Sequence, residues 1–412
     1  LGPAAMIGLC LAIFGLSLQG GTRYGLINAF SLGIGSVALV AMSLCLLLAA
    51  RPGFLEPFFG GLDRMYHFHK WSGIAALGAM VLHEQAEPDV EDYARETLLG
   101  EIGASVGEVA YYPLIALILL SWVKRIPLID WEIPYHLWWF SHRLMGAFFA
   151  LAAIHYWLVD TPPAWSGALT MLLNVCVATG ILSYVFIEFI ARKWRRRAYT
   201  VSSVERRPGA TALTLRPVGR AMRWRAGQFA FLNIDAASSA EAHPFSLAGG
   251  PDPTGAIHFE IKPLGDWTRR LPDRLQQGSQ VQVEGPYGRF DFRKGGKRQI
   301  WIAGGIGITP FLAWAQSLSP DETRQIHLVY SSRTAAEVIG RDVLAEAAAH
   351  FPGFSFDLVV TETDGRLDAA RVIAGAPFDA NGADFFFCGP ANLRASILKG
   401  MESSGITPRE TY

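Results

Sequence analysis

The sequence predicts a six-helix transmembrane bundle followed by an antiparallel β unit and an open α/β unit. Three features point this way. Only 17% of the 412 residues are charged and mean hydropathy is +0.24, whereas a soluble globular domain carries about 25% charge. The charge is unevenly spread: residues 1–197 hold 27 Asp, Glu, Lys and Arg, and residues 198–412 hold 45. The back half also changes pattern, from short alternating apolar runs to strand-like runs separated by Ala-rich segments. This composition excludes a disordered chain. Lys+Arg and Asp+Glu are 36 each, so net charge gives no indication of nucleic acid, and none is expected as a partner. The four cysteines (Cys10, Cys45, Cys176, Cys388) are far apart with no CxxC, which removes support for zinc ribbons, thioredoxin-type sites, iron–sulfur cradles and c-type haem attachment.

In the front half, near-spanning apolar stretches cover residues 3–18, 26–50, 68–83, 109–123, 137–158 and 166–190. The first lacks a basic leader region and reads as a span rather than a cleaved signal. The third is short, about 24 Å of helix, and spans only if its polar flanks are included. Basic residues orient the set. Arg51, Arg64 and Lys70 follow the second span, and Lys124, Arg125 and Arg143 follow the fourth. Arg192, Lys193, Arg195, Arg196 and Arg197 follow the sixth. The opposite side has Arg23 and a loop from Glu84 to Glu108 with eight acids and Arg95. Even spans therefore end in the cytoplasm, which puts the back half there, on a multi-pass protein of the cell membrane.

Six of the ten histidines lie in this half: His67, His69, His83, His136, His142 and His155. His69 and His83 bracket the third span, fourteen residues apart, and His142 and His155 lie in the fifth, thirteen apart. The two spans run parallel, so each offers one imidazole near either leaflet. Facing helices would supply two bis-imidazole pairs, an arrangement suited to b-type haem. Fourteen residues end about 40° short of four turns with a rise of about 21 Å, so His69 and His83 share a face. Thirteen residues end about 140° short, so His142 and His155 share a face only if the helix is overwound or bent. Polar residues inside a membrane are costly and commonly functional. His67 and His136 read as interfacial, and Phe148 and Phe149, midway between His142 and His155, as core packing.

Residues 198–295 read as the antiparallel β unit, with apolar runs such as 211–215 and 257–261 between turn residues. Residues 301–390 read as βα repeats with strands near 299–303, 326–330, 356–360 and 384–388. Gly304, Gly305 and Gly307 follow a strand and precede a helix, where glycines let backbone N–H groups approach a pyrophosphate. The run AGGIGITP is not a GxGxxG fingerprint. FFFCGP at 385–390 adds a second loop at the same strand-end edge.

The paired histidines, HPFS at 243–246, KPLGDWT at 262–268, GPYG at 285–288, AGGIGITP at 303–310, YSSRT at 330–334 and CGP at 388–390 occur in one order. With them the back half resembles the ferredoxin–NADP reductase superfamily. From about residue 3 to 412 the chain resembles the bacterial NADPH oxidases of the ferric reductase-like transmembrane, flavocytochrome b family. The resemblance implies a haem domain over 1–197, an FAD-binding β-barrel over 198–296 and an NADPH-binding α/β domain over 297–412. It places His243, Pro244, Phe245 and Ser246 around the flavin ring, with Phe245 as a stacking face and the Ser246 hydroxyl near N5. Lys262, Trp267 and Thr268 fall in the second flavin segment, where Lys262 and Thr268 suit a diphosphate. Thr309 and Pro310 follow the nicotinamide-side glycines. Arg333 is suited to a 2′-phosphate, favouring NADPH over NADH. Cys388, with Gly389 and Pro390, matches the position near the nicotinamide. The family's chain usually ends in an aromatic residue with a short basic tail over the flavin; here PRETY ends at Tyr412 without one.

The implied function is electron transfer from cytosolic NADPH through FAD, an inner haem (His69, His142) and an outer haem (His83, His155) to molecular oxygen, giving superoxide. Alternatives are a ferric-chelate reductase with the same path, or a haem protein feeding quinone or a protein partner. No EF-hand loop occurs, so constitutive activity without an obligatory protein partner is expected.

Overall fold

The computed structural model describes residues 1–86, 97–122, 125–126, 131–159, 167–234 and 242–412. Arg95, Lys124, part of the acidic 84–108 segment, and the side chains of Arg125, His136 and Arg192 lie outside the described residues. The chain divides into two units, Leu1–Trp194 and Arg195–Tyr412.

The first unit is helical: α1 (Gly2–Gly21), α2 (Leu26–Ala49), α3 (Leu62–Gln85), α4 (Leu98–Trp122), α5 (Tyr135–Arg143), α6 (Met145–Leu158) and α7 (Gly167–Val185). α7 continues into a π-helical turn, Phe186–Ile190. Among the described residues five segments, not six, are both long and apolar enough to cross a membrane: Gly2–Tyr24, Leu26–Ala49, Leu98–Trp122, Leu137–Leu158 and Gly167–Ile190. The exception is α3. At 24 residues it is about 36 Å long, but Asp63, Arg64, His67, His69 and Lys70 crowd its first turns and lower its hydropathy. The fourth helix starts at Leu98 rather than 109, so Glu101 and Glu108 stand on a helix and not in a loop. The intervening residues are apolar or small, and two isolated acids do not stop a helix.

Small side chains let these helices approach closely. Ala38, Ala41 and Met42 of α2, Ala76, Ala79 and Met80 of α3, Ala110 and Leu114 of α4, Phe149 and Ala153 of α6 and Val177 of α7 form one buried cluster. Phe149 is a core residue: a Cβ on Gly180 would lie 2.8 Å from its ring.

The second unit begins with a six-stranded antiparallel sheet: β1 (Arg196–Arg207), β2 (Ala210–Pro217), β3 (Phe229–Asn233), β4 (His243–Ser246), β5 (Ile257–Ile261) and β6 (Gln280–Tyr287), in the order β4-β3-β6-β1-β2-β5. The expected barrel is an open sheet. Its edges β4 and β5 form no ladder among the described residues, and the bond from Ala248 N–H to the His258 carbonyl, 2.9 Å, links them just beyond β4. β4 has four residues and one is Pro244, which has no N–H to give to a ladder. Leu213, Leu215, Ala230, Leu232, Phe259 and Val283 fill the sheet's core, and helix α8 (Asp266–Arg274) adds the buried Leu271.

The α/β part has β7 (Arg298–Gly304), α9 (Thr309–Ala315), β8 (Gln325–Ser332), α10 (Arg341–His350), β9 (Phe354–Val360), α11 (Ala369–Gly375), β10 (Asp384–Cys388), α12 (Ala391–Ser403) and β11 (Glu410–Thr411). All strands are parallel, in the order β9-β8-β7-β10-β11. The chain runs outward from β7 to β9, then returns to the other side of β7 as β10. The carboxyl ends of β7 and β10 thus flank a topological switch point, where open α/β sheets bind ligands.

Candidate redox sites

α3 and the α5–α6 pair bring the four histidines together in twos. Ring centroids of His69 and His142 are 6.1 Å apart, and those of His83 and His155 are 6.5 Å apart. The obstacle of a 140° mismatch is removed by a break at Leu144. Leu144 N–H bonds the Ser141 carbonyl and Ala147 N–H bonds the Leu144 carbonyl, both three residues back. Such bonds overwind a helix locally.

The neighbouring helices fix which ring nitrogen is free. His69 Nδ1–H donates to the Cys45 carbonyl at 3.0 Å, His83 Nδ1–H to the Ser31 carbonyl at 2.9 Å and His155 Nδ1–H to the Gly103 carbonyl at 2.9 Å. A carbonyl only accepts, so Nδ1 carries the proton. His142 Nδ1 lies 3.0 Å from Ser121 Oγ, whose own hydroxyl donates to the Leu117 carbonyl at 2.7 Å. In neutral rings every Nε2 then keeps its lone pair, the form that binds metal.

The spacing suits an ion between each pair. A metal–imidazole nitrogen bond is about 2.0 Å, and with the ring centre about 1.1 Å behind the nitrogen, an in-line ion would hold centroids about 6.2 Å apart. Among the described residues no three His, Cys, Asp or Glu group to hold a bare metal ion. Haem needs only two ligands from the chain, and the residues present fit it.

One device recurs. α2 supplies the Ser31 carbonyl to His83, and a Cβ on Gly35, one turn on, would lie 2.7 Å from His83 Nδ1. α4 supplies the Gly103 carbonyl to His155, and a Cβ on Gly107 would lie 2.6 Å from His155 Nδ1. Neither Ser31, Cys45, Gly103 and Ser121 nor the two glycines were singled out from sequence. Small residues four apart in an apolar helix are the signal that could have found Ser31/Gly35 and Gly103/Gly107.

In the second unit, alternation along β4 puts His243 and Phe245 on one side. Both meet Trp267 of α8: the His243 ring centroid is 4.3 Å away and that of Phe245 is 5.8 Å, nearly parallel at 23°. Pro244 and Ser246 point the other way, opposite Phe231 and Phe229 of β3. The Thr268 hydroxyl is engaged in its own turn. It accepts the N–H groups of Leu264 and Gly265 at 2.9 and 3.0 Å and donates to the Gly265 carbonyl at 3.1 Å. Lys262 reaches across to the glycine loop, where a Cβ on Gly305 would lie 4.0 Å from Nζ.

At the switch point, the β7 and β10 loops touch backbone to backbone. A Cβ on Gly304 would lie 2.8 Å from Pro390, and one on Gly307 would lie 2.6 Å from the Cys388 carbonyl carbon and 2.9 Å from the Gly389 nitrogen. Gly305 has φ +55°, a left-handed conformation. Thr309 Oγ1 donates to the Ile306 carbonyl at 3.1 Å, and Pro310 sits in the first turn of α9. Burial pushes the Cys388 thiol up to about 11, so it is a neutral thiol at pH 7. Arg333 is three-quarters exposed and paired with Glu337 at 2.5 Å. Tyr412 stacks on Phe386, centroids 4.4 Å apart and 5° from parallel, while its N–H bonds the Phe385 carbonyl at 2.8 Å. That places its ring on the α/β core.

Three family profiles match in the same order. "Ferric reductase like transmembrane component" covers residues 34–153, "FAD-binding domain" 194–291 and "Oxidoreductase NAD-binding domain" 301–398. This is the flavocytochrome b architecture of the NADPH oxidase and ferric reductase family. Among relatives of this chain, the propane 2-monooxygenase reductase component of Rhodococcus jostii (strain RHA1) is 28% identical over 216 residues, 48% of this chain and 57% of that protein. Ferric reduction oxidase 7, chloroplastic, of Arabidopsis thaliana is 28% identical over 214 residues, 47% of this chain and 27% of that protein. The chain thus spans just over half of the first and about a quarter of the second. The flavohemoglobin of Malassezia yamatoensis shares a likeness of fold, with a TM-score of 0.50 and 17% identity over 95% of this chain and 98% of that one.

Proposed function

We propose that this chain transfers electrons from NADPH, through FAD and two b-type haems, across the membrane to molecular oxygen, producing superoxide. The observation that carries it is the pair of bis-imidazole sites in which every Nδ1 is hydrogen-bonded and every Nε2 is left for iron. When bound, FAD accepts a hydride and releases electrons singly, and haem iron carries one electron at a time. The chain's own work is placement. His69 with His142 would hold one iron and His83 with His155 the other, His69 and His83 being about 21 Å apart along α3, the rise of fourteen residues. His243, Pro244, Phe245, Ser246, Lys262, Trp267 and Thr268 shape the flavin site. Gly304, Gly305, Gly307, Thr309, Pro310, Cys388, Gly389 and Pro390 shape the nicotinamide side, and Arg333 takes the 2′-phosphate. No side chain acts as nucleophile or general acid.

The distribution of basic residues supports a cytoplasmic position for the FAD- and NADPH-binding domains, with the His83–His155 pair toward the outer face. An electron leaving a negative interior moves downhill by about 2.3 kcal/mol per 100 mV. Oxygen is the acceptor that asks least of the protein, since access to the outer haem edge suffices. A second reading, ferric-chelate reduction along the same path, is favoured by the match to Ferric reduction oxidase 7.

The test follows the haem Soret band of the purified chain after anaerobic addition of FAD and NADPH, then air. Reduction followed by rapid reoxidation and superoxide release is expected. Reduction that persists in air and discharges to ferric chelates would replace oxygen by iron. Absence of a haem band would remove the transmembrane path altogether.

A further inference from the structure

The segment between β2 and β3 contains four arginines in ten residues, Arg216, Arg220, Arg223 and Arg225. Arg216, Arg220 and Arg223 are exposed, and among the described residues their guanidinium groups make no hydrogen bond or ion pair. Arg220 and Arg223 line a cavity of about 510 Å³ together with the buried Met222 and Trp224 and with Pro251, Asp252, Pro253 and Gly255. That is the size of a small-ligand site. Its one acid, Asp252, is ionised: the hydrogen bonds of Thr254 hold its carboxyl below the usual carboxylate range. The Arg216 charge acts on it, and Arg220 and Arg223 line the same cavity, so the rim stays net positive. Val218, between Arg216 and Arg220, is 52% exposed.

Strand register fixes where this segment is rooted. Tyr199 pairs with Pro217, Val218 N–H bonds the Ala198 carbonyl at 2.9 Å and Met222 N–H bonds the Tyr199 hydroxyl at 2.9 Å. Ala198 is three residues past Arg195, at the end of the basic run that follows the last membrane helix. The loop is therefore tethered within a few residues of the chain's exit from the bilayer, whichever way the second unit turns. Guanidinium groups bind phosphate oxygens by paired N–H bonds. A basic cluster next to a membrane helix is attracted to anionic lipid, with an apolar residue available to enter the headgroup region.

We propose that Arg216, Arg220 and Arg223 form a phosphate-anion site that holds an anionic phospholipid headgroup, with Val218 dipping into the lipid, so that the FAD-binding domain rests on the membrane surface. This builds on the membrane reading above but not on electron transfer. The commitment to lipid over free phosphate rests on the tether and on the exposed valine, which a soluble anion would not need.

The test uses the full chain in nanodiscs of phosphatidylcholine alone or mixed with phosphatidylglycerol, read by amide hydrogen exchange over residues 216–225. Exchange is expected to slow on the order of tenfold in the anionic discs. High salt should reverse the protection, and R220Q/R223Q should abolish it while leaving protection in β1 and β2 intact. Equal exchange in the two bilayers would overturn the proposal. So would inorganic phosphate reproducing the protection in phosphatidylcholine discs, which would make this a soluble-anion site. Because no electron transfer is read, loss of NADPH-driven haem reduction would refute the proposed function and leave this result standing.

Discussion

Replacing Gly107 by Ala tests the histidine sites through a single methyl group. The added Cβ would lie 2.6 Å from His155 Nδ1, 3.0 Å from Cε1 and 3.1 Å from Cγ, where ordinary contacts begin at 3.4 Å. The ring must retreat about 0.8 Å at Nδ1, the atom held 2.9 Å from the Gly103 carbonyl. Overpacking of this kind costs about 1–3 kcal/mol, and losing the hydrogen bond costs about 1 kcal/mol more. Charged to cofactor affinity, about 2–4 kcal/mol is a loss of about 30-fold to 1,000-fold. Gly107→Ala should therefore purify with one haem per chain instead of two, measured by pyridine haemochrome against protein. Gly35→Ala should lose the same haem, because it presses on His83 from the other helix. Gly78→Ala is the control: nothing lies within 4 Å of its added Cβ, and Ala favours a helix over Gly by about 1 kcal/mol. Two haems retained in both Gly35→Ala and Gly107→Ala, with unchanged spectra, would refute the assignment of His83 and His155 as a ligand pair.

Further outcomes follow from single contacts. Ser121→Ala removes the acceptor of His142 Nδ1–H and should make that ligand less basic, moving one of two haem potentials positive in a redox titration. Ser121→Thr should restore it, and two unmoved waves would exclude the contact. Arg333→Ala should raise KM for NADPH about 10-fold to 100-fold, the worth of a charged hydrogen bond, with little change for NADH. Glu337→Gln, which frees Arg333 from its ion pair, should lower KM for NADPH, and equal effects on both nucleotides would end that assignment. His327 is buried between Ser355 and Asp357, and burial lowers its pKa below the ordinary 6.5. The unfolded chain then binds more protons, so stability should fall as pH drops below about 6.5. Thermal melting between pH 7 and pH 5 should show this slope flattened in His327→Asn, and an identical slope in the variant would assign the loss elsewhere.

The parts of this protein legible in its sequence are those set by local periodicity. Apolar run length marked the spans and missed only where polar residues sit inside a helix, as at the start of α3 and at Glu101 and Glu108. Histidine spacing along each helix named the pairs through the rise per residue, a constant of the helix, while the rotation agreed only for His69 and His83. Strand-end glycines marked the nucleotide loops, because backbone contact there excludes any Cβ.

What the sequence could not supply was set by partners far along the chain. The turn at Leu144 brings His142 and His155 to their partners despite their spacing. The acceptors of Nδ1 come from α2 and α4, up to 52 residues away. Lys262 stands beside Gly305, and Thr268 satisfies its own turn. The six-stranded sheet stays open at a short edge strand holding a proline. The sequence alone therefore determined which residue types recur at which interval, a property of one helix or strand. Packing between elements decided which ring nitrogen is left without a proton and which loops meet, because those contacts exist only once separate elements bury their faces against each other.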